Sequence, residues 1–154
     1  MPDVTIASAP ADAAEAIACL QAYFDELDRR FPEGFDATLT TSADVEELTP
    51  PQGDLLLVHA AGRAIGVGCV KLLEDGSTVE VKRMWVDPSH RGRGIGGRLL
   101  ARLEDRARAL GATRAVLDTR QLLGAVPLYE RHGYTACAPF NDNPYPDWWG
   151  QKHL

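Results

Sequence analysis

Four glycines stand in six consecutive positions, Gly92, Gly94, Gly96 and Gly97, with Arg91 and Arg93 set among them. No other stretch constrains the fold as tightly. Upstream, residues 78–86 (TVEVKRMWV) are rich in β-branched side chains and read as a strand. Asp87-Pro88-Ser89 ends it, because proline has no N–H to give a sheet ladder. Downstream the period turns helical: Ile95, Leu99, Leu103, Ala107 and Leu110 form one apolar stripe, and Gly111 is placed to cap its end.

A glycine-rich turn feeding a helix suits a polyphosphate. Without Cβ atoms the backbone can approach a ligand closely, and the first N–H groups of a helix have no internal acceptor. Those donors and the positive end of the helix dipole favour an anion. Arg91 and Arg93 add guanidinium groups able to fork onto phosphate oxygens. The plain alternative, a tight turn with solvated arginines, needs one or two glycines rather than four.

Three motifs compete for this loop. The P-loop requires Lys and Ser or Thr after its second glycine, but Arg98 and Leu99 follow Gly97. The dinucleotide fingerprint G-x-G-x-x-G is matched literally by Gly92, Gly94 and Gly97, with Asp118 about 20 residues on. A Rossmann strand, however, is buried on both faces and leads directly into its first glycine. This one carries Glu80, Lys82 and Arg83, and five residues separate Val86 from Gly92. The third pattern fits. Arg91-x-x-Gly94-x-Gly96, after a strand ending Val86-Asp87-Pro88, resembles the acetyl-CoA pyrophosphate loop of the GNAT family of N-acetyltransferases. Residues 128–134 (LYERHGY) resemble that family's second signature, a helix bearing a tyrosine and closing at a glycine before an aromatic.

The rest of the chain reads as alternating short elements. Val4 and Ile6 mark a first strand, and Ile17, Leu20, Phe24, Leu27 and Phe31 fall at helical spacing before Pro32. Residues 35–51 form a long irregular connection, with one helical turn expected near 44–48. Strands follow at 54–60, 64–73 and 78–86, turned by Ala61-Gly62 and Asp75-Gly76. A strand at 113–119 after the long helix implies a parallel, right-handed crossover. A second helix is expected over 122–132 and final strands at 134–137 and 149–154. The expected fold class is α/β (α+β), GNAT-like. It has a mixed, mainly antiparallel central sheet of six to seven strands, flanked by about four helices, with 1–154 as a single domain.

Composition excludes several classes. Charged residues make up 25% of the chain and the net charge is −6, which disfavours general nucleic-acid binding and makes the basic loop a local site for a small polyanion. No run approaches the length of a membrane span, and no basic-then-apolar leader opens the chain. Three cysteines, Cys19, Cys69 and Cys137, argue against a disulfide framework and for a reducing cytoplasm. The histidines show no metal-ligand spacing, so no metal is expected.

The resemblance implies roles for individual residues. Gly92, Gly94, Ile95, Gly96 and Gly97, with Arg91 and Arg93, would bind the cofactor acetyl-CoA. The strand 78–86 would splay from the next strand and leave backbone groups unpaired. Met84 N–H would then donate to the thioester oxygen and Val86 would bond the pantetheine. Tyr129 would protonate the leaving thiolate, a role open to a phenol with pKa near 10. Glu80 occupies the family's glutamate-base position. By parity it shares a strand face with Met84, about 13 Å away by strand rise, and Lys82 lies between them. The alternative for Glu80 is an exposed strand carboxylate. Asp28 and Arg30 close the first helix near the family's acceptor cleft and are weak substrate candidates with Lys82. Many members carry an asparagine seven positions before the tyrosine; here it is Leu122, and Arg120 or Gln121 could replace its contact.

The activity implied is direct transfer from acetyl-CoA to a primary amine in a ternary complex. A small-molecule acceptor is preferred over a protein, because no docking extension is evident. The alternatives are a noncatalytic acetyl-CoA sensor of the same fold and a dinucleotide-binding oxidoreductase. Trp85 is expected in the core on the face opposite Met84 and Glu80. Trp148 and Trp149 would cover the cleft or make a homodimer contact.

Overall fold

The computed structural model of the protein describes residues 3–40 and 43–154. Seven strands form one sheet in the order β1-β2-β3-β4-β5-β7-β6. They are β1 (Val4–Ser8), β2 (Gly53–Ala60), β3 (Arg63–Leu72), β4 (Thr78–Val86), β5 (Arg114–Thr119), β6 (Thr135–Ala136) and β7 (Trp148–His153). Every neighbouring pair is antiparallel except β4 with β5. The helices are α1 (Ala14–Arg30), α2 (Ile95–Ala109) and α3 (Val126–Arg131), with short 3-10 turns at Ala37–Leu39, Pro88–His90 and Gln121–Leu123. A sheet with one parallel pair is not the doubly wound parallel sheet that a dinucleotide fold requires.

Two hydrophobic layers sandwich the sheet. On one face α2 lays Ile95, Leu99, Leu103 and Ala107 against Leu56, Val58, Val79 and Val81. On the other, α1 covers Leu55, Leu57, Val67 and Cys69. Strand β2 is buried on both sides, which is why Leu55-Leu56-Leu57-Val58 reads as a continuous apolar run rather than an alternating one. The α2 stripe follows the sequence period. Its end is a Schellman motif: Gly111 takes φ +92, its N–H reaches the Arg108 carbonyl, and Ala112 N–H reaches that of Ala107.

Two helices depart from the sequence pattern. In α1 the buried line is Ala16, Cys19, Leu20 and Leu27, whereas Ile17 is 55% exposed. A helix turns about 100° per residue, so seating the small Ala16 and Cys19 on the sheet swings Ile17 outward. The expected helix over 122–132 is broken. Gly124 at φ +81 ends the 3-10 turn, and Pro127, tolerated only in a first turn, restricts α3 to Val126–Arg131. The strand at 134–137 shrinks to two residues because Tyr134 is drawn into the core, where its hydroxyl donates to Glu104 at 2.9 Å. The turn near 44–48 is present, with Leu48 N–H bonded to the Asp44 carbonyl. Residues 41–42 of that connection lie outside the described residues.

Candidate active site

The parallel ladder between β4 and β5 is short. It pairs Thr78 with Arg114, Val79 with Ala115 and Glu80 with Val116, then the strands part. A cavity of about 480 Å³ opens in that gap, lined by β4 residues 80–86, Asp118 and Thr119 of β5, Arg120 just after it, the glycine loop, α3 and the end of α1. The splay expected for strand 78–86 is therefore present.

The glycine loop meets the cavity with bare backbone. Gly92 and Gly94 adopt φ +78 and +77, and nothing lies within 4 Å of where a Cβ would stand on either. Gly94 is the N-cap of α2 and supplies no side-chain cap, while the first helical bond runs from Arg98 N–H to the Gly94 carbonyl. The N–H groups of Ile95, Gly96 and Gly97 thus have no intrahelical acceptor. Gly97 has a second reason to be small. A Cβ on Gly97 would stand 3.0 Å from His132 Nε2, tight against the end of α3, whereas one on Gly96 would make an ordinary 3.5 Å contact with Leu128. Arg93 is exposed and does not line the cavity.

Arg91 is placed differently from the sequence expectation. Its guanidinium forks onto Glu26 of α1, and its Nε donates to the Val86 carbonyl at 2.8 Å. The side chain that was expected to fork onto phosphate already holds a carboxylate, because Glu26 sits in α1 across the mouth of the cleft. Glu26 also accepts from Trp85 Nε1 and Arg30. Burial pushes its pKa up, but those three partners outweigh burial and hold it at about 2.

The parity argument for Glu80 and Met84 fails at a β-bulge. Val67 pairs with Trp85 and Cys69 with Lys82, so Gly68 alone faces both Arg83 and Met84, and Arg83 takes the left-handed φ of +58. The extra residue flips every side chain beyond it. Met84 and Val86 pack with the α2-side core, along with Val79 and Val81. Glu80 and Lys82 belong to the opposite face, that of their cross-strand neighbours Lys71 and Cys69. Trp85 is on that same α1-side face, packed against Cys19, Leu20 and Val67, and so is not opposite Glu80 as expected. Glu80 is buried at 4% exposure rather than being a solvated strand carboxylate, and its Oε1 lies 3.9 Å from Lys82 Nζ. Burial lowers the Lys82 pKa, with Glu80 working in the other direction. All four residues, Glu80, Lys82, Met84 and Val86, line the cavity.

Tyr129 reaches the same cavity from α3. It is 8% exposed and stacks on Trp148 at 6.4 Å, and among the described residues its hydroxyl has no hydrogen-bond partner. Burial first, and Asp118 second, push its pKa up to about 12. Asp118, which is not a ribose-binding acid in this fold, lines the cavity. Its own pKa is raised by burial, against an opposing bond from Asn141 Nδ2 at 2.7 Å.

Part of the cavity wall is aromatic. Tyr23, Phe24, Phe31, Phe35 and Tyr145 line it, with ring centroids 4.8 Å apart for Phe35–Tyr145 and 5.7 Å for Phe24–Phe35. Arg30 lines the cavity, bonded to Glu26 and the Leu122 carbonyl. Asp28 does not. Its carboxylate caps the following turn by accepting from Phe35 N–H at 2.9 Å, which accounts for it without a substrate. The Arg120 guanidinium is taken by Glu33 and the Tyr145 carbonyl, and Gln121 is exposed and does not line the cavity, so neither side chain stands in for the asparagine absent at Leu122. Trp148 and Trp149 do not cover the cleft: the first packs on Tyr129 and the second donates to Asn141. Sequence reasoning passed over Glu26, Arg83 and Tyr145. Only Glu26 carried a signal, as an acid in the charged last turns of α1.

Among the described residues, no helix is long and apolar enough to cross a membrane, and no group of three His, Cys, Asp or Glu side chains could hold a metal.

A family model described as "Acetyltransferase (GNAT) family" matches residues 20–134. An IAA acetyltransferase of Azospirillum brasilense is 36% identical over 149 residues, 96% of this chain and 94% of the relative. A Klebsiella pneumoniae structure provisionally described as an acyl-CoA N-acyltransferase superposes with TM-score 0.78 at 32% identity, over 98% of this chain and 97% of that one. The Salmonella typhimurium acetyltransferase yncA, solved with its cofactor acetyl-CoA, shares the fold at TM-score 0.72 and 22% identity, over 98% and 94% of the two chains.

Proposed function

The chain belongs to the GNAT family of acetyltransferases, and from that premise we propose that it transfers acetyl from acetyl-CoA directly to the primary amine of a small molecule, within a ternary complex. The carrying observation is the gap beyond the Glu80–Val116 pair, with the uncapped N-terminus of α2 opening beside it.

The residues present fit coenzyme A. The loop amides from Gly92 to Gly97 hold the diphosphate through backbone donors, with Gly92 and Gly94 in conformations that leave the approach open. Arg91 acts through the loop: tied to Glu26 and Val86, it fixes where those amides point. Val86 keeps one carbonyl lone pair and can bond the pantetheine arm. Met84 N–H, within the bulge, is the donor for the thioester oxygen as charge develops on it. Bound acetyl-CoA supplies the activated acetyl thioester and departs as the thiol.

Two protons must then be handled. The acceptor arrives as an ammonium with pKa near 10, and Glu80, at the acid-lined floor of the cavity, takes its proton directly or through water. Tyr129 gives its proton to the departing sulfur, since its phenol stays protonated far above neutral pH, and regains one from the nitrogen, which sheds its second proton as the amide forms. The aromatic wall receives the body of the acceptor.

The test is calorimetry with acetyl-CoA, followed by an amine panel scored by free-thiol release. The Azospirillum relative is named for IAA, so IAA belongs in that panel. Absence of binding removes the reading. Binding with no thiol release from any amine favours a noncatalytic sensor.

A further inference from the structure

Arg83 is the residue that the cofactor chemistry leaves unused. It lines the cavity, is half-buried, and is fixed by an unusual backbone, the left-handed φ of +58 at the bulge. That geometry sets its guanidinium over the Phe24 ring, 5.2 Å from the centroid, and lets Nη1 donate to the Ala43 carbonyl at 3.2 Å. Both partners are uncharged. Among the described residues no carboxylate pairs with it.

Of the other cavity charges, Arg131 is exposed on α3 and the rest have partners. Glu26 holds Arg91 and Arg30, Arg120 holds Glu33, and Lys82 lies beside Glu80. Asp118 accepts from Asn141. A half-buried guanidinium with no carboxylate bonded to it is poorly solvated, and an arriving carboxylate would receive a planar, charge-assisted pair of donors. Around it stand Tyr23, Phe24, Phe35 and Tyr145, an apolar surface suited to a ring or a branched chain. Three positions back along β4, Glu80 waits for the amine, within reach of a long arginine side chain.

We infer that Arg83 is a specificity-determining residue that binds a carboxylate on the acceptor, and that the acceptor is an apolar or aromatic amine carrying that carboxylate, of which an aromatic α-amino acid is the simplest example. This rests on the amine-acetylation reading above and names its substrate class. An amino acid fits the three-part cavity: its ammonium at Glu80, its carboxylate at Arg83, its side chain on the aromatic wall.

The test uses calorimetry on the full chain saturated with coenzyme A, titrating L-phenylalanine, phenethylamine and L-alanine, for the protein and for Arg83→Gln and Arg83→Lys. Expected is phenylalanine binding at least about tenfold tighter than phenethylamine, as for one charge-assisted contact. Alanine should bind more weakly than phenylalanine. Arg83→Gln should abolish the preference for the carboxylate without weakening phenethylamine, and Arg83→Lys should restore part of it. Unchanged coenzyme A affinity in both variants reports an intact fold. Phenethylamine binding as tightly as phenylalanine, equal loss of both ligands in Arg83→Gln, or no binding of any of the three overturns the inference. Thiol release on adding acetyl-CoA is scored separately, so tight, Arg83-dependent phenylalanine binding without turnover would sink the catalytic reading and leave this one standing.

Discussion

Arg91 of the glycine loop and Glu26 of α1 are joined by two parallel hydrogen bonds, Nη2 to Oε1 at 2.6 Å and Nη1 to Oε2 at 3.0 Å. The pair ties the glycine loop to the helix that contributes Tyr23 and Phe24 to the cavity. Arg91 is 40% exposed and Glu26 11%, which places the pair between a surface bridge and a buried one. Arg91→Ala should therefore lower stability by about 1–2 kcal/mol, since Arg30 and Trp85 still serve Glu26. The pH sign follows from Glu26. Its folded pKa, about 2, lies below the ordinary 4.5, so its contribution is full above pH 4.5 and is lost as pH falls toward 2. Glu26→Gln should flatten the acid limb of the stability curve in that window. Urea unfolding from pH 2 to 7 measures both effects, and an unaltered limb would remove Glu26 as its source.

Tyr129→Phe should slow turnover tenfold or more, on the order of a lost general acid, with acetyl-CoA affinity similar. Because burial and Asp118 raise the phenol to about 12, the rate should show no loss of the protonated acid until strongly alkaline pH. The same shift predicts that Tyr129 withdraws stability between about pH 10 and 12, where the unfolded phenol ionises first. A variant as fast as the parent would take Tyr129 out of the mechanism.

Much of this was legible in the residues. Strand β4 and the α2 stripe were readable because a glycine loop with a proline ahead of it punctuates them sharply. The splay was implied by the family resemblance. What misled was the regularity assumed between: period-two alternation puts Glu80 beside Met84, but a bulge paired to Gly68 reverses the faces. Nothing in KRM announces a left-handed arginine, since only glycine advertises that conformation. The partners of Arg91 and Asp28 were equally hidden, because Glu26 lies 65 residues from Arg91 and a cap at Asp28 looks like any helix-end charge.

Glu80→Gln tests the base. The change keeps the shape of a 4%-exposed side chain while removing its proton affinity. Turnover at pH 7 should fall by about 10²–10⁴, with coenzyme A binding retained. The loss should shrink as pH approaches the pKa of the free amine, where the acceptor arrives already deprotonated. A loss independent of pH would make Glu80 a structural partner of Lys82 rather than a proton acceptor.

The two ends of α2 provide a matched pair for the diphosphate site. Gly94 at the N-cap and Gly111 just after the C-cap Leu110 both hold positive φ, +77 and +92, and a Cβ placed on either would meet no atom within 4 Å. Alanine at either should therefore destabilise by a similar amount, about 1–2 kcal/mol of left-handed strain. Their effects on ligand should differ. Gly94→Ala disturbs the amides of Ile95, Gly96 and Gly97 and should weaken acetyl-CoA binding at least about tenfold, the loss of one charge-assisted contact. Gly111→Ala, a full helix length away, should leave affinity unchanged. Thermal unfolding and calorimetry on both proteins separate strain from binding. Equal affinity in the two would mean that the helix amides do not hold the diphosphate.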